Sequence, residues 1–252
     1  MKRRSVGLYL VFPALVLGIF CIGGLRGQEP EEAIIYSQFD MSIGPINSGI
    51  FAGFAYKEEF RVLGHKHKFF YSPDFLLGSV IYDGQSYFGY EMKYDVYGDE
   101  LLLYHPMVNG SQAVQLIKER VTSFKIESHR FVNLPKQTGN ELPVSGFLEV
   151  LLVGDHFTFY KKHRKRILKK SDRKLLYHEF KDRSAYYISL DNELTQVKSL
   201  VHIVALFPEY RKQLNDIAVK YKELKKSDLE YYFTAVLSDL DMMVDPKKEK
   251  DL

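Results

Sequence analysis

Two histidines one residue apart, His65 and His67, are the first residues whose types and spacing suit chemistry. On an extended strand, residues two apart share a face with Cα atoms about 6.6 Å apart, so two imidazoles can converge on one ion. A zinc site needs a third protein ligand, and catalysis needs an open position beside it. Asp74, Asp83 and His105 are the available third ligands, and nothing in the sequence selects among them. Such a site would make the chain a metal-assisted hydrolase. Beside Lys66 and Lys68, the same pair also reads as a polar, solvent-facing stretch.

A second constellation is basic. Residues 161–174 hold nine Lys or Arg in fourteen positions and one acid: Lys161, Lys162, Arg164, Lys165, Arg166, Lys169, Lys170, Arg173 and Lys174 against Asp172. That density suits phosphates or sulfates on nucleic acid, lipopolysaccharide or an anionic glycan. Only Ile167 and Leu168 interrupt it, so the interleaved aromatics that stack on bases are missing, and no nucleic acid is expected. The competing reading is a hairpin end reaching into solvent, where like charges protect exposed strand edges.

Acids beside tyrosines, Asp95 and Asp99-Glu100, form a third set. Acid pairs hydrolyse glycosides when held a few ångströms apart across a bond. Here turn propensity explains Asp99 more simply. The 18 Tyr and 18 Phe, without Trp, read as core on pleated surfaces, with a sugar-stacking platform as the functional alternative. No Ser-nucleophile elbow, phosphate-binding loop, dinucleotide glycine motif, H-E-x-x-H or EF-hand loop occurs, and no cofactor is implied.

The elements that position these residues begin with the N-terminus. Lys2, Arg3 and Arg4 precede an apolar run from Val6 to Ile22, then Gly23 and Gly24. This three-part shape predicts a secretory signal peptide over 1–27, with a retained N-terminal anchor as the alternative. No later stretch is apolar long enough to span a bilayer, so no transmembrane span is expected in the mature chain. Cleavage takes the 35 basic residues to 31 against 32 acidic ones, because Lys2, Arg3, Arg4 and Arg26 leave with no acid. The formal charge of +3 therefore belongs to the leader, and a globally basic nucleic-acid binder is not supported. The single cysteine, Cys21, leaves as well. Thiol catalysis, disulfides and Cys-ligated metals go with it.

Residues 28–197 are predicted to be an antiparallel β-rich domain. Asp83-Gly84 separates two strand-like runs, Leu76–Tyr82 and Gln85–Val96, and is the strongest short hairpin signal. In the second run Tyr90, Met92, Tyr94 and Val96 alternate with polar residues, which puts them on one face. Gly98-Asp99 marks the next turn before Glu100–Tyr104. Further strands are expected at Ser123–Glu127, Gly146–Val153, His156–Leu168, Leu175–Phe180 and Ala185–Ser189, with turns at Gly154-Asp155 and Asp191-Asn192.

Near Lys198 the apolar period changes from two to that of a helix. Leu200, Ile203, Val204 and Phe207 form one stripe, and Pro208 suits the first turn of a second helix. Ser227-Asp-Leu-Glu230 has the spacing of a capping box opening a third. Residues 198–244 are thus a helical segment packed on the sheet, and 245–252 a charged tail. The fold class expected is α+β: an antiparallel meander, sandwich- or roll-like, followed by about three helices.

The block Gly78-Ser-Val-Ile-Tyr-Asp-Gly-Gln85, with Tyr87, Lys93-Tyr-Asp-Val-Tyr97 and Asp99-Glu-Leu101, resembles one in exported proteins of Bacteroidota that carry no assigned activity. The ending, Lys198-Ser-Leu200 and Leu206-Phe-Pro-Glu209 before a two-helix tail, is similar too. The likeness spans Phe69 to Leu240 and rests on turn and apolar residues. It implies a periplasmic, outer-membrane-associated or extracellular setting and brings no catalytic residue. The function expected is therefore a non-enzymatic binding or structural module, with an envelope polymer or envelope protein as partner. The alternatives are the His65/His67 hydrolase and an anionic-polymer binder acting through Lys161–Lys174.

Overall fold

The computed structural model describes residues 49–104, 113–134, 144–172 and 175–244. The expected signal peptide, the charged tail, His105, Arg173 and Lys174 lie outside the described residues. Thirteen strands come first: β1 (Phe54–Ala55), β2 (Leu76–Tyr82), β3 (Gln85–Asp95), β4 (Glu100–Tyr104), β5 (Ala113–Gln115), β6 (Val121–Ile126) and β7 (His129–Leu134), then β8 (Gly146–Val153), β9 (Phe157–Lys162), β10 (Lys165–Asp172), β11 (Leu175–Asp182), β12 (Ala185–Leu190) and β13 (Glu193–Val197). Four helices follow: α1 (Leu200–Leu206), α2 (Arg211–Lys220), α3 (Leu224–Ser227) and α4 (Leu229–Asp241). Eleven strands form one antiparallel sheet in the order β1-β5-β4-β3-β2-β6-β7-β8-β9-β12-β13, and β10 and β11 form a separate hairpin. The architecture is α+β, a rolled antiparallel sheet with a helical C-terminal segment.

Turn chemistry sets this order. Asp83 and Gly84 both take positive φ (50° and 77°), as do Asp191 and Asn192 (49° and 63°), which is what tight two-residue hairpins require. The β6–β7 turn uses Glu127 at φ 53°, a residue type that gives no turn signal, and strand β7 is correspondingly absent from the sequence-based expectation. The expected single strand over His156–Leu168 is also corrected. It breaks at His163-Arg164, where the chain leaves the large sheet to start the β10–β11 hairpin.

The sheet rolls around its aromatic face. In the strand order β3 and β8 are four steps apart, about 19 Å in a flat sheet. Yet the rings of Tyr94 and Phe147 meet edge-on at 5.8 Å. The alternation read in β3 is what fills the roll: Met92, Tyr94 and Val96 are buried among Phe124, Phe131, Phe147 and Leu103. On the same sheet face, further along, a second core joins Phe159 and Ile188 to Ile203, Leu214, Phe233, Val236 and Leu240 of the helices. The helical stripe read from Leu200 onward therefore faces the sheet as expected.

One helix start differs from the expectation. Asp228, not Ser227, caps α4, accepting from the Tyr231 N–H at 2.9 Å. Ser227 closes α3 and donates back to the carbonyls of Glu223 and Leu224. Glu230 is drawn away by Lys161. Asp228→Ala is expected to cost about 1 kcal/mol in thermal unfolding, whereas Ser227→Ala should stay within about 0.5 kcal/mol.

Candidate functional site

Charged groups collect where the rolled sheet meets itself. Asp95 ends β3, Asp99 lies in the β3–β4 turn and Glu100 opens β4 directly opposite Asp95; these are the three acids that suggested paired-carboxylate chemistry. Asp99 sits against the start of β8, and its carboxylate receives the Lys162 ammonium at 2.7 Å, the Lys118 ammonium and the Tyr94 hydroxyl at 2.7 Å. Lys162 also donates to the Phe147 carbonyl at 3.0 Å. Burial opposes the Asp99 charge, but Lys162 and Lys118 outweigh it and hold the carboxyl below the usual range. Burial pulls the Lys162 ammonium down to about 8 despite Asp99. Gly146 makes the approach possible: it takes φ 85°, and a Cβ there would collide with the Asp99 carboxylate and the Lys118 ammonium.

Asp95 faces a different cation. Its carboxylate pairs with buried Lys68 at 2.8 Å and accepts from the Tyr97 and Gly98 N–H groups at 3.0 Å each. Lys68 reaches Glu58 as well, at 3.1 Å, and lies 5.0 Å from the Tyr56 ring centre. Burial works against this ammonium, yet Asp95 and Tyr56 together hold its pKa above the ordinary lysine value.

Glu149 on β8 forms the third node, between His163 at 2.6 Å and His129. Phe70 packs edge-on to both imidazoles, 5.0 Å from His129 and 4.9 Å from His163. Burial opposes ionisation of Glu149, but His163 and His129 hold its carboxyl below the usual range. Burial holds the His163 imidazole below the usual histidine range. Among the described residues the buried acids Asp95 and Glu149, and the partly covered Asp99, each meet a basic partner inside the protein. Asp95 and Asp99 face different cations, while burial and then the Asp95 charge hold the Glu100 carboxyl above the usual carboxylate range.

The histidine pair is placed differently from the expectation. His65 and His67 lie in a turn and an irregular stretch outside the named strands, not on a strand face. His65 is exposed, while His67 is partly covered, its Nδ1 buried with no hydrogen-bond partner. Burial, and then the nearby Lys165 ammonium, keep His67 below the usual histidine range, a setting hostile to a cation. The Asp74 carboxylate accepts from the Ser72 hydroxyl at 3.4 Å, and Asp83 meets Arg120 at 3.3 Å. Among the described residues no three His, Cys, Asp or Glu side chains are grouped to hold a metal.

The basic stretch divides into an inward and an outward half. Lys161 pairs with Glu230 of α4, Lys162 with Asp99, and Lys165 donates to the His67 and Phe69 carbonyls at 2.8 and 2.7 Å. Lys161 and Lys162 tie the sheet to the helices and to the β3–β4 turn, and Lys165 ties the hairpin to the segment before β2. Arg164, Arg166, Lys169 and Lys170 remain exposed. β10 pairs only with β11 among the described residues, so Arg166, Lys169 and Lys170 line an open edge, where charge deters strand addition.

A concave feature absent from the sequence-based candidates lies on the sheet face opposite the aromatic core. A half-open groove of about 600 Å³ crosses β3, β2, β6 and β7, bordered by Ser79, Ser86, Ser123, Ser128, Lys125 and Arg130. The alternation of Ser123 and Lys125 with Phe124 and Ile126 on β6 was the available sign that this face is polar. Cross-strand register, which the sequence does not print, is what assembles it.

No family model matches the chain, and no curated protein or solved structure matches it significantly. Among the described residues no helix is long and apolar enough to cross a membrane.

Proposed function

We propose that this chain is an exported protein of the bacterial cell envelope that acts as a non-enzymatic binding module. The observation that carries this reading is the fate of the buried acids. Asp95 and Glu149 are buried and Asp99 is mostly covered, and each is engaged by internal cations or imidazoles, whereas a general acid or nucleophile must reach a substrate. Export is motivated by the leader-like residues 1–27 and by a mature composition without cysteine. The likeness to exported Bacteroidota proteins belongs to the same proposal.

The test is direct. The exported chain is purified and offered ester, peptide, glycoside and phosphoester substrates, with cell fractions assayed in parallel. Absence of turnover, and recovery from the envelope or medium with a shortened N-terminus, is the expected result. Turnover that disappears in Asp95→Asn, Asp99→Asn or Glu149→Gln protein that is still folded contradicts it. So does full-length protein confined to the cytosol with its first residues intact.

A second reading places anionic-polymer binding on the β10–β11 hairpin, favoured by the exposure of Arg164, Arg166, Lys169 and Lys170. It predicts that Arg166→Glu/Lys170→Glu abolishes salt-sensitive binding. Lys165 is unsuited to that test, because its ammonium satisfies two backbone carbonyls.

A further inference from the structure

The sheet register sets two cations against each other. Lys125 of β6 lies directly opposite Arg130 of β7. Directly opposed residues on one sheet face hold their Cβ atoms about 5 Å apart, and like charges in that position repel. Neither side chain has an ion pair or hydrogen bond with a described residue. Elsewhere this protein gives its inward cations partners: Lys68, Lys118, Lys161 and Lys162 all meet a carboxylate. Lys125 and Arg130 are both exposed, so water weakens their repulsion without removing it, and both border the groove.

The rest of the row explains what would relieve it. Phe88 stands opposite Ser79, Ser79 opposite Lys125, and Lys125 opposite Arg130, so one line crosses four strands over about 14 Å. Ser123 and Ser86 flank Ile81 in the row beside it. The hydroxyls of Ser79, Ser86, Ser123 and Ser128 have no partner among the described residues and offer both donors and acceptors. No carboxylate is among the residues lining the groove. The nearest acid in sequence, Glu127, projects from the β6–β7 turn at positive φ. An aromatic ring at one end, two cations at the other and hydroxyls between them match an acidic polysaccharide better than a lone ion, which would leave the hydroxyls and the ring unused.

We infer that the groove over β3, β2, β6 and β7 binds an acidic polysaccharide, with Lys125 and Arg130 clamping a carboxylate or sulfate and Phe88 supporting a sugar ring. This inference rests on the binding reading above and names its ligand class and its site. The clamp trades stability for binding. Lys125→Glu converts a repulsive cross-strand pair into an attractive one, so it raises the melting temperature while weakening the ligand.

Binding of the exported chain to polygalacturonate, dextran sulfate, neutral dextran and duplex DNA tests it. The wild type is expected to hold polygalacturonate or dextran sulfate, to ignore dextran and to lose affinity as salt rises. Lys125→Glu/Arg130→Glu should weaken binding by about tenfold or more, the scale of losing two charge contacts. Lys125→Glu alone should melt higher than wild type, and Arg166→Glu/Lys170→Glu should bind as wild type does. Failure of the wild type to hold either acidic polysaccharide overturns the inference, as does undiminished binding by Lys125→Glu/Arg130→Glu. Loss confined to the hairpin variant overturns this site while leaving the binding-module reading intact. Tighter binding of DNA than of either polysaccharide overturns the ligand class. Cleavage of a bound polysaccharide overturns the non-enzymatic reading instead, with the groove still its site.

Discussion

Asp99→Asn is expected to be among the most damaging single substitutions in this chain, costing about 3–5 kcal/mol in denaturant unfolding, the range for removing one partner of a buried ion pair. Two ammonium groups and a phenol converge on this carboxylate. Lys118 is a third exposed and recovers hydration when Asp99 is neutralised, so its share of the loss is small. Lys162 cannot recover hydration: its side chain is 6% exposed, so without Asp99 it must give up its proton or stay charged against the Phe147 carbonyl alone. The amide also loses the charge that Tyr94 donates to. Because Tyr94 packs on Phe124, Phe131 and Phe147, the disturbance reaches the centre of the roll. A midpoint shift below that equivalent to about 1 kcal/mol, typical of a surface ion pair, would show that the pair is solvated.

The second large effect is acid sensitivity centred on Glu149. Its folded-state pKa is held below the usual carboxylate value, so it contributes stability that is present above the unfolded pKa and is lost as pH falls through the folded one. His163 works in the same direction at higher pH. Burial depresses its folded pKa, so below the unfolded value of about 6.5 the unfolded chain binds the extra proton and stability falls. Wild-type stability is therefore expected to decline in two steps on acidification, the first beginning near pH 6.5 and the second below about pH 4.5. Glu149→Gln should shrink the lower step, to which the depressed Asp99 carboxyl also contributes, and cost about 2 kcal/mol at pH 7, the scale of a hydrogen bond to a charged acceptor. His163→Gln should shrink the upper step, to which His67 also contributes. Urea midpoints measured from pH 3 to pH 8 decide the matter. A flat profile in the wild type, or one unchanged in Glu149→Gln, contradicts this assignment.

Local chemistry made much of the fold legible. Asp83-Gly84 and Asp191-Asn192 announced tight turns because few residue types tolerate positive φ. The period-two run through Met92 and Tyr94 announced a strand with one buried face, and the switch of period near Lys198 announced the helices. Glu127 hid the β6–β7 turn because nothing in its chemistry prefers that conformation. The break at His163-Arg164 was hidden because basic residues continue across it without Gly or Pro.

The site was less legible because it depends on long-range pairing. Lys161, Lys162 and Lys165 look alike in sequence beside Arg166 and Lys170. Only the roll of the sheet brings Asp99 to Lys162, and only the packing of α4 brings Glu230 to Lys161. Conversely, Lys125 and Arg130 are unremarkable as text, five residues apart around a cryptic turn, and become a pair only through register. Cationic density along the chain pointed to the hairpin, whereas the cationic pair that borders a groove lies across β6 and β7.

Whether the buried acids are counter-ions holding the roll, rather than groups kept for chemistry, is decided most directly by a double-mutant cycle on Asp99→Asn and Lys162→Met. If Asp99 exists to balance the buried ammonium, removing that ammonium makes the asparagine tolerable. The double variant should then be about 2 kcal/mol or more stabler than the sum of the single losses allows. Additive losses, with no coupling between the two positions, would contradict it.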